Sequence, residues 1–247
     1  MKKVFTSILI SMLLVFSTAA NTIKPPRGFH GTLYKSTLVL YGQLEEKKAP
    51  ICTATVFEQT SDGYLLLSAG HCVMSVPLEV TYSVADDLGQ PLTPVKIVKA
   101  VRDEGTTNID FAVFELKTKK HYTVIPISKN PKERIGDKIV DVNFSEAWAK
   151  QVSEGKISSV PMGVVPECDI CENNFMVQLY ASSGASGSAI VSEKTHEIIG
   201  LLVGGEPDAN IGAIVEPISR LKEFQTAQDE QGKRKSIKDV ENEEEEQ

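Results

Sequence analysis

The chain has 247 residues, of which 41% are hydrophobic, and this is enough to bury the core of one large domain or two small ones. Its 17 glycines and 12 prolines exclude a collagen-like or wholly disordered chain, and its net charge of -7 argues against nucleic-acid binding, which needs a basic face. The four cysteines are too few for a disulfide-built miniprotein, although they can pair completely.

The first twenty residues are predicted to form a secretory signal peptide. Lys2 and Lys3 precede the apolar run Val4–Phe16, and small residues follow in Ser17–Ala20. The apolar run has 13 residues, fewer than the roughly 20 that a membrane-spanning helix needs, so cleavage near Ala20 is expected. The mature chain is therefore expected to be secreted or periplasmic, without a stable membrane anchor and in a compartment where disulfides persist.

Short apolar or alternating runs dominate the chain between Thr32 and Ile218. Their Val, Ile, Thr and Tyr content, and the turn residues between them, indicate strands. Examples of the predicted strands are Thr37–Leu44, Cys52–Glu58, Tyr64–Ser68, Leu78–Val84, Val95–Val101, Phe111–Leu116, Lys138–Phe144, Lys156–Val160, Phe175–Tyr180, Ala189–Ser192 and Ile198–Val203. About a dozen closely spaced strands with almost no long helical segment predict an all-β sandwich or barrel.

A polar, turn-rich stretch at 128–136 divides these strands into two groups of similar size. Two packed β-barrels fit this division, the first at about 32–127 and the second at about 137–217. Residues 21–228 are therefore expected to form a single two-barrel unit.

The end of the chain is predicted to hold a closing helix and a solvated tail. Ile218, Leu221 and Phe224 recur at three-residue spacing, which predicts a helix over 218–228. Residues 229–247 carry eight acidic and four basic side chains and almost nothing apolar. Such a segment cannot bury enough surface to offset the entropy of ordering, so an acidic disordered tail is predicted.

Three short sequences place His71, Asp110 and Ser186 beside apolar strands, in that order along the chain. They are LSAGHC at 67–72, NIDFAV at 108–113 and SGASGSAI at 183–190. Taken singly, each has an ordinary structural explanation. Together they supply what acyl transfer requires, because a serine hydroxyl needs an imidazole to remove its proton and a carboxylate to orient that imidazole. Glycine beside the serine lets the backbone turn so that N–H groups can point at a developing oxyanion.

The order His–Asp–Ser in the contexts SAGHC, DFAV and GASGS resembles the chymotrypsin-like (trypsin-like) serine peptidases. The resemblance covers residues 37–225 and implies two six-stranded antiparallel β-barrels with a short C-terminal helix. It implies His71 as general base and acid, Asp110 as its orienter and Ser186 as nucleophile. It also implies an oxyanion hole made by the backbone N–H groups of Gly184 and Ser186, and protein or peptide substrates.

The four cysteines are predicted to form two local disulfides. Cys52 begins a strand and Cys72 follows the histidine, as do the paired cysteines that bracket the histidine loop in the family. Cys168 and Cys171 form a C-x-x-C motif, which in a reduced cytosolic chain would suggest redox or zinc chemistry. The remaining histidines show no ligand spacing and a thioredoxin-like context is absent, so a local bridge is preferred and no metal or cofactor is expected.

The sequence departs from the animal digestive members of the family just before the nucleophile. Those enzymes carry an aspartate there, which pairs with a new N-terminus after zymogen cleavage, whereas this chain has Ala185. No Ile-Val-Gly-Gly start follows the predicted signal peptide. The chain is thus closer to bacterial-type members that lack this aspartate, and activation by N-terminal insertion is not expected.

The resemblance places Tyr180, six residues before the nucleophile, at the floor of the primary specificity pocket. The other predicted substrate-binding residues are Val203, Gly204, Gly205 and Gly212. Without an acid at the floor, a preference for Arg or Lys loses its physical basis, so an apolar or small residue before the scissile bond is expected. Glu206 and Asp208 lie in the adjoining loop and are interpreted as solvated charges, with attraction of a basic side chain as the alternative.

The leading hypothesis is an exported serine endopeptidase that acts through an acyl-enzyme. A catalytically silent trypsin-fold binding module is the main alternative, which the acidic tail favours weakly and the intact His71, Asp110 and Ser186 oppose. An esterase ranks third, because the residues after the nucleophile resemble a strand and the triad order differs from that of the α/β-hydrolases. The sequence gives no indication of the oligomeric state or the physiological substrate.

Overall fold

A computed structural model describes residues 24–75, 77, 79–102, 109–147, 149–161, 171–205 and 212–226. The predicted signal peptide, the predicted acidic tail and Cys168 lie outside these residues. Within the described ranges, no helix has the length and apolar character needed to cross a membrane.

The first six strands form one closed antiparallel barrel. They are β1 (Thr37–Leu44), β2 (Lys47–Gln59), β3 (Gly63–Ser68), β4 (Thr81–Ala85), β5 (Thr93–Arg102) and β6 (Asp110–Lys117). Their order around the barrel is β1-β2-β3-β6-β5-β4, and β1 closes it by pairing with β4. Closure pairs every strand on both sides, which removes the exposed edges that would invite aggregation.

The next six strands form a second closed barrel. They are β7 (Lys138–Asn143), β8 (Gln151–Ile157), β9 (Phe175–Gln178), β10 (Ala189–Ser192), β11 (Ile198–Gly205) and β12 (Ala213–Pro217). Their order is β10-β11-β12-β9-β8-β7. The prediction of two six-stranded antiparallel barrels is confirmed.

Strand β11 is buried on both faces because it lies between the interior of the second barrel and the first barrel. Ile199 and Leu202 pack inside the second barrel, whereas Ile198 and Leu201 join the core that the two barrels share. Successive side chains of a strand point to opposite faces, so a strand in this position needs apolar residues at consecutive positions. The run IIGLLV meets this need, because its apolar side chains are buried on both faces of the strand.

Three short helices complete the described fold. They are α1 (Gly28–Ser36), α2 (His71–Met74) and α3 (Leu221–Thr226), the last preceded by a 3-10 turn at Ile218–Arg220. The sequence did not predict α1. Its C-terminal end is held by the buried Lys150, whose Nζ donates to the carbonyl oxygens of Tyr34 at 2.9 Å and Thr37 at 2.7 Å. A partner 116 residues along the chain thus satisfies carbonyls that a helix end leaves open.

The strands of the second barrel differ most from the prediction at β8 and β12. A strand was predicted at Lys156–Val160, but β8 ends at Ile157 and Val160 is 62% exposed. The polar segment before Lys156 forms the strand instead, because its backbone pairs with β7. Strand β12 is not among the runs named from the sequence, although four of its five residues are buried and it lies within the predicted extent of the second barrel.

A buried carboxylate in β7 is expected to make stability depend on pH. Asp141 is 0% exposed and accepts a hydrogen bond from Asn143 Nδ2 at 2.6 Å. Burial raises the pKa of Asp141 from 3.8 to about 7, against the opposing effect of the Asn143 hydrogen bond. Between about pH 4 and pH 7 the folded protein therefore binds more protons than the unfolded chain. The contribution of protonated Asp141 to the free energy of unfolding is fully present below about pH 4 and is lost as the pH rises to about 7.

We expect Asp141→Asn to remove this part of the pH dependence, because the amide stays neutral. Denaturant unfolding of wild type and variant at several pH values between about 4 and 7 measures the slope. An equally steep fall in both proteins would contradict the assignment to Asp141.

Candidate active site

His71 and Asp110 are in direct contact at one end of the first barrel. His71 begins α2, and Asp110 is the first residue of β6. The Asp110 carboxylate meets two groups of the same residue: Oδ1 accepts the His71 backbone N–H at 2.6 Å, and Oδ2 lies 2.6 Å from Nδ1. This two-point contact fixes the imidazole ring and leaves Nε2 as the nitrogen available to another partner.

The contact depends on a glycine before the histidine. A Cβ on Gly70 would lie 2.0 Å from the carbonyl oxygen of Val101 and 3.0 Å from Asp110 Oδ1. The first distance is well inside van der Waals contact with rigid backbone, so a side chain at this position would push α2 away from β5 and β6. The glycine of the SAGHC motif therefore has a packing reason that the sequence did not reveal.

A disulfide between Cys52 and Cys72 joins β2 to the helix that begins at His71. This pairing confirms the predicted bridge beside the histidine. Cys171 is also disulfide-bonded. Because Cys168 lies outside the described residues, the predicted Cys168–Cys171 bridge stays a prediction.

We expect the double substitution Cys52→Ala and Cys72→Ala to lower the free energy of unfolding by about 3 kcal/mol, the loop-entropy value for a short disulfide loop. The two cysteines are 20 residues apart, and the bridge restricts the unfolded chain between them. Urea unfolding of wild type and variant, both under non-reducing conditions, measures the difference. Equal midpoints and slopes would show that the bridge contributes nothing to stability.

The loop that carries Ser186 is held by two segments outside it. In β2, the Thr53 N–H donates to the Ser186 carbonyl at 2.9 Å, and the Thr53 hydroxyl donates to the Gly184 carbonyl at 2.8 Å. On the other side, the Glu146 N–H donates to the Ser183 carbonyl at 2.7 Å. The carbonyl oxygens of Ser183, Gly184 and Ser186 therefore all accept hydrogen bonds from outside the loop.

Gly184 has a φ of +94°, a conformation that side-chain-bearing residues rarely adopt. Its N–H belongs to the same peptide unit as the Ser183 carbonyl, so the bond from Glu146 turns this N–H to the opposite side. In the described part of the chain, the N–H groups of Gly184 and Ser186 have no hydrogen-bond acceptor. Two unengaged donors close to a serine can stabilise a negatively charged oxygen.

Strand β2 links the surroundings of Ser186 and His71. Thr53 holds the Ser186 carbonyl, while the preceding Cys52 is bonded to Cys72, the residue after His71. Within the described residues, no hydrogen bond joins Ser186 Oγ to the imidazole. In active sites without substrate such bonds are often long, and they shorten when substrate binds.

A cavity of about 680 Å³ adjoins Ser186. Its described lining residues are Glu146, Gln178, Leu179, Tyr180, Ala181, Ser182, Ser183, Ser186, Leu202, Gly204, Gly205, Gly212 and Ala213. Four of the five predicted substrate-binding residues are among them, and Tyr180 lines the cavity with a side chain that is 60% exposed. Val203 is buried in β11 and is not part of this lining.

Glu146 was not predicted to be part of the site. It lies 40 residues before Ser186 in the stretch FSEAWAK, which contains no recognisable motif. Its φ of +60° is unusual for a glutamate, and this backbone conformation accompanies the bond from its N–H to Ser183. Only the packing of the two loops brings it to the cavity.

One cluster outside this site contains a histidine and two carboxylates. His30 Nδ1 lies 3.4 Å from Glu154, and Nε2 lies 3.5 Å from Glu193. Each ring nitrogen faces a different carboxylate, so the imidazole bridges the two side chains and attaches α1 to the second barrel. One ligand atom from each of the three residues lies within 4.8 Å of the other two, a spacing that exposed acidic groups commonly show without a metal ion.

The chain is similar to peptidases of known structure. A model of the trypsin-like peptidase domain matches residues 52–201, and no curated protein matches the chain. The HtrA-type protease AlgW, solved with a decapeptide, has a TM-score of 0.64 and 15% identity over 80% of this chain and 66% of that one. A serine endoprotease from Yersinia pestis has a TM-score of 0.58 and 16% identity over 81% of this chain and 66% of that one.

This chain spans slightly less than two thirds of the length of those structures, and at these identities the likeness concerns the fold. The domain match is the stronger finding, because it covers more than half of the chain. The matched residues include the His71–Asp110 contact and the Ser186 loop. The chain therefore belongs to the family of trypsin-like peptidase domains.

Proposed function

We propose that the protein is an exported serine endopeptidase that uses Ser186, His71 and Asp110 and forms an acyl-enzyme. The trypsin-like fold supports a serine protease at the level of the family. The observation that carries the finer proposal is the contact of one Asp110 carboxylate with both the backbone N–H and the Nδ1 of His71, at 2.6 Å each. A solvated surface histidine has no need of such a contact.

In the proposed first step, the N–H at His71 Nδ1 donates a hydrogen bond to the Asp110 carboxylate and keeps its proton, so Nε2 is free to accept the proton of the nucleophile. Ser186 Oγ attacks the carbonyl carbon of the peptide bond and gives its proton to Nε2. A C–O bond forms, and the π electrons of the carbonyl move to its oxygen. That oxygen receives hydrogen bonds from the N–H groups of Gly184 and Ser186.

In the next step the C–N bond breaks, and the leaving amine takes the proton from His71 Nε2. The acyl group stays on Ser186 as an ester. Water then gives a proton to His71 and attacks the ester carbonyl, after which Ser186 leaves and recovers its proton from the same nitrogen. Asp110 stays ionised throughout and stabilises the imidazolium that forms twice in the cycle.

The proposed substrates are proteins or peptides with a small or apolar residue before the scissile bond. Leu179, Ala181, Leu202 and Ala213 line the cavity beside Ser186 together with three glycines, which favours such a residue. Glu146 contributes a carboxylate to the lining, which gives a basic residue as the competing preference. The similar protease AlgW was solved with a decapeptide and with a tripeptide, which supports peptides as the proposed substrates of this chain.

Export of the chain is supported by the Cys52–Cys72 disulfide, since such bonds persist outside the cytoplasm. The predicted signal peptide gives the proposed route, with a soluble mature protein released after cleavage near Ala20. Activation by insertion of a new N-terminus forms no part of the proposal.

The proposal is tested by incubating the purified mature chain with a diverse peptide library and sequencing the products by mass spectrometry. Internal cleavage, with a small or apolar residue enriched before the cut, is the expected result. Cleavage after Arg or Lys would retain the peptidase and reject the proposed preference. A library left intact by the folded protein would favour the silent binding module.

A further inference from the structure

A second carboxylate, that of Glu216, contacts the backbone of Asp110 in the proposed triad. Glu216 lies in β12 of the second barrel and is 0% exposed. Its Oε2 accepts the backbone N–H of Asp110 at 2.7 Å, although the two residues are 106 positions apart in sequence. A hydrogen bond from the second barrel therefore reaches the acid of the first barrel.

A carboxylate in this position is costly for folding. Taking an ionised group out of water carries a large free-energy penalty that the attraction of a partner only partly offsets, and well-packed apolar residues in place of a buried ion pair are often as stable. The partner of Glu216 is Arg220, whose Nη1 lies 3.5 Å from Oε1, beyond a good hydrogen bond. Stability alone gives little reason for the pair, so the acceptor that Glu216 presents to Asp110 is its specific contribution.

The hydrogen bond from Asp110 to Glu216 holds the backbone N–H at the very start of β6, where strand pairing supports the chain least. Asp110 is the first residue of β6, so the barrel holds it mainly from its C-terminal side. Its carboxylate is fully engaged with His71, at 2.6 Å to both the backbone N–H and Nδ1. Glu216 accepts the backbone N–H of Asp110 and so fixes the peptide plane that precedes the carboxylate-bearing Cα.

We propose that Glu216 is a positioning residue, which fixes the backbone of Asp110 and thereby the imidazole of His71 relative to the second barrel. The proposal rests on the proposed triad. Ser186 belongs to the second barrel and His71 to the first, so each barrel carries one reacting group. The Glu216–Asp110 bond is a direct polar link between the barrel of the nucleophile and the acid that orients the base.

The role does not require a charge on Glu216. Burial raises the pKa of Glu216 well above its usual value, and Arg220 opposes that rise. In the ionised and in the protonated form alike, a carboxyl oxygen remains to accept the Asp110 N–H. A glutamine keeps that acceptor, whereas a leucine of similar size removes it.

Two matched double variants separate positioning from folding. Arg220→Met combined with Glu216→Gln, and Arg220→Met combined with Glu216→Leu, both lack the ion pair and differ only in the acceptor. We expect the glutamine variant to keep kcat within about threefold of wild type. We expect the leucine variant to lose about tenfold to a hundredfold in kcat with an almost unchanged KM, because small displacements of catalytic groups have effects of this size.

Leu38→Ala is the control for stability, since Leu38 is a fully buried residue of β1 that does not line the cavity beside Ser186. It is expected to lower the urea midpoint of unfolding, because it leaves a cavity in the core, and to leave kcat unchanged. Equal kcat values for the two double variants would overturn the proposal, as would a matching fall in kcat for Leu38→Ala. A wild-type protein without peptidase activity would instead reject the proposed function on which this inference rests.

Hydrogen exchange of the wild-type protein tests the same bond without a substitution. The Asp110 amide is expected to exchange as slowly as the amides at the centre of β6, because Glu216 holds it. Fast exchange of this amide in the folded protein would overturn the proposal even if the leucine variant fails to fold.

Discussion

Ser186→Ala is expected to abolish peptide cleavage, with a loss of about a million-fold in kcat, as found when the nucleophile of such a triad is removed. The substitution deletes the one oxygen that forms the covalent bond with the substrate. It leaves the loop in place, because the bonds that hold the loop come from Thr53 and Glu146 and end on backbone carbonyls. Only the residual rate from binding and from the oxyanion donors should remain.

A fluorophosphonate probe measures this prediction directly. The probe should label the wild type but neither Ser186→Ala nor His71→Ala, since it reacts with an activated serine. Ser192→Ala is the matched control, because Ser192 is a buried serine at the end of β10, in contact with Thr195 and outside the site. Labelling of the Ser186→Ala protein at the wild-type level would reject Ser186 as the nucleophile.

Asp110→Asn is expected to lower kcat by about 10⁴-fold while leaving the fold intact. The His71 backbone N–H needs an acceptor, so the amide oxygen of the asparagine must take the place of Oδ1. Its NH₂ group then faces Nδ1 and donates to it. This arrangement moves the proton of the neutral ring to Nε2, where the ring can no longer accept the proton of the nucleophile.

The tautomer change can be observed as well as inferred from the rate. Nitrogen NMR of the labelled imidazole at high pH should report a proton on Nδ1 in the wild type and on Nε2 in the variant. Glu115→Gln serves as the control, since Glu115 lies in the same strand on the solvent side and its loss should leave both tautomer and kcat unchanged. An Asp110→Asn protein with wild-type kcat would remove Asp110 from the mechanism.

The fold could be predicted from the sequence because its signals are local. Alternating or continuous apolar runs separated by turn residues gave eleven of the twelve described strands, at least in part. The prediction failed where the backbone partner matters more than the side chains. Strand β8 is largely polar and is a strand because β7 pairs with it, while α1 depends on Lys150 from the second barrel.

The part of the candidate site that lies in contiguous motifs could also be predicted from the sequence. The motifs around His71, Asp110 and Ser186 are each contiguous in sequence, and the Asp110–His71 contact followed from their chemistry. Glu146 and Glu216 could not be predicted, because neither stands in a motif and each acts on a residue far away in the chain. Such contacts arise only when loops and barrels pack.

The sequence by itself determined the all-β architecture, since its alternating runs and turn signals lie in short stretches of chain. The bridge between Cys52 and Cys72 and the proposed chemistry were predicted from the resemblance of the motifs to the trypsin-like family. The tertiary structure alone decided how the reacting groups are held: Glu146 turns the Ser183–Gly184 peptide, and Glu216 holds the Asp110 backbone from the opposite barrel. The physical reason is that a hydrogen bond depends on the distance and direction between two groups. A sequence fixes these for neighbours, but for residues 106 positions apart only the packed barrels can.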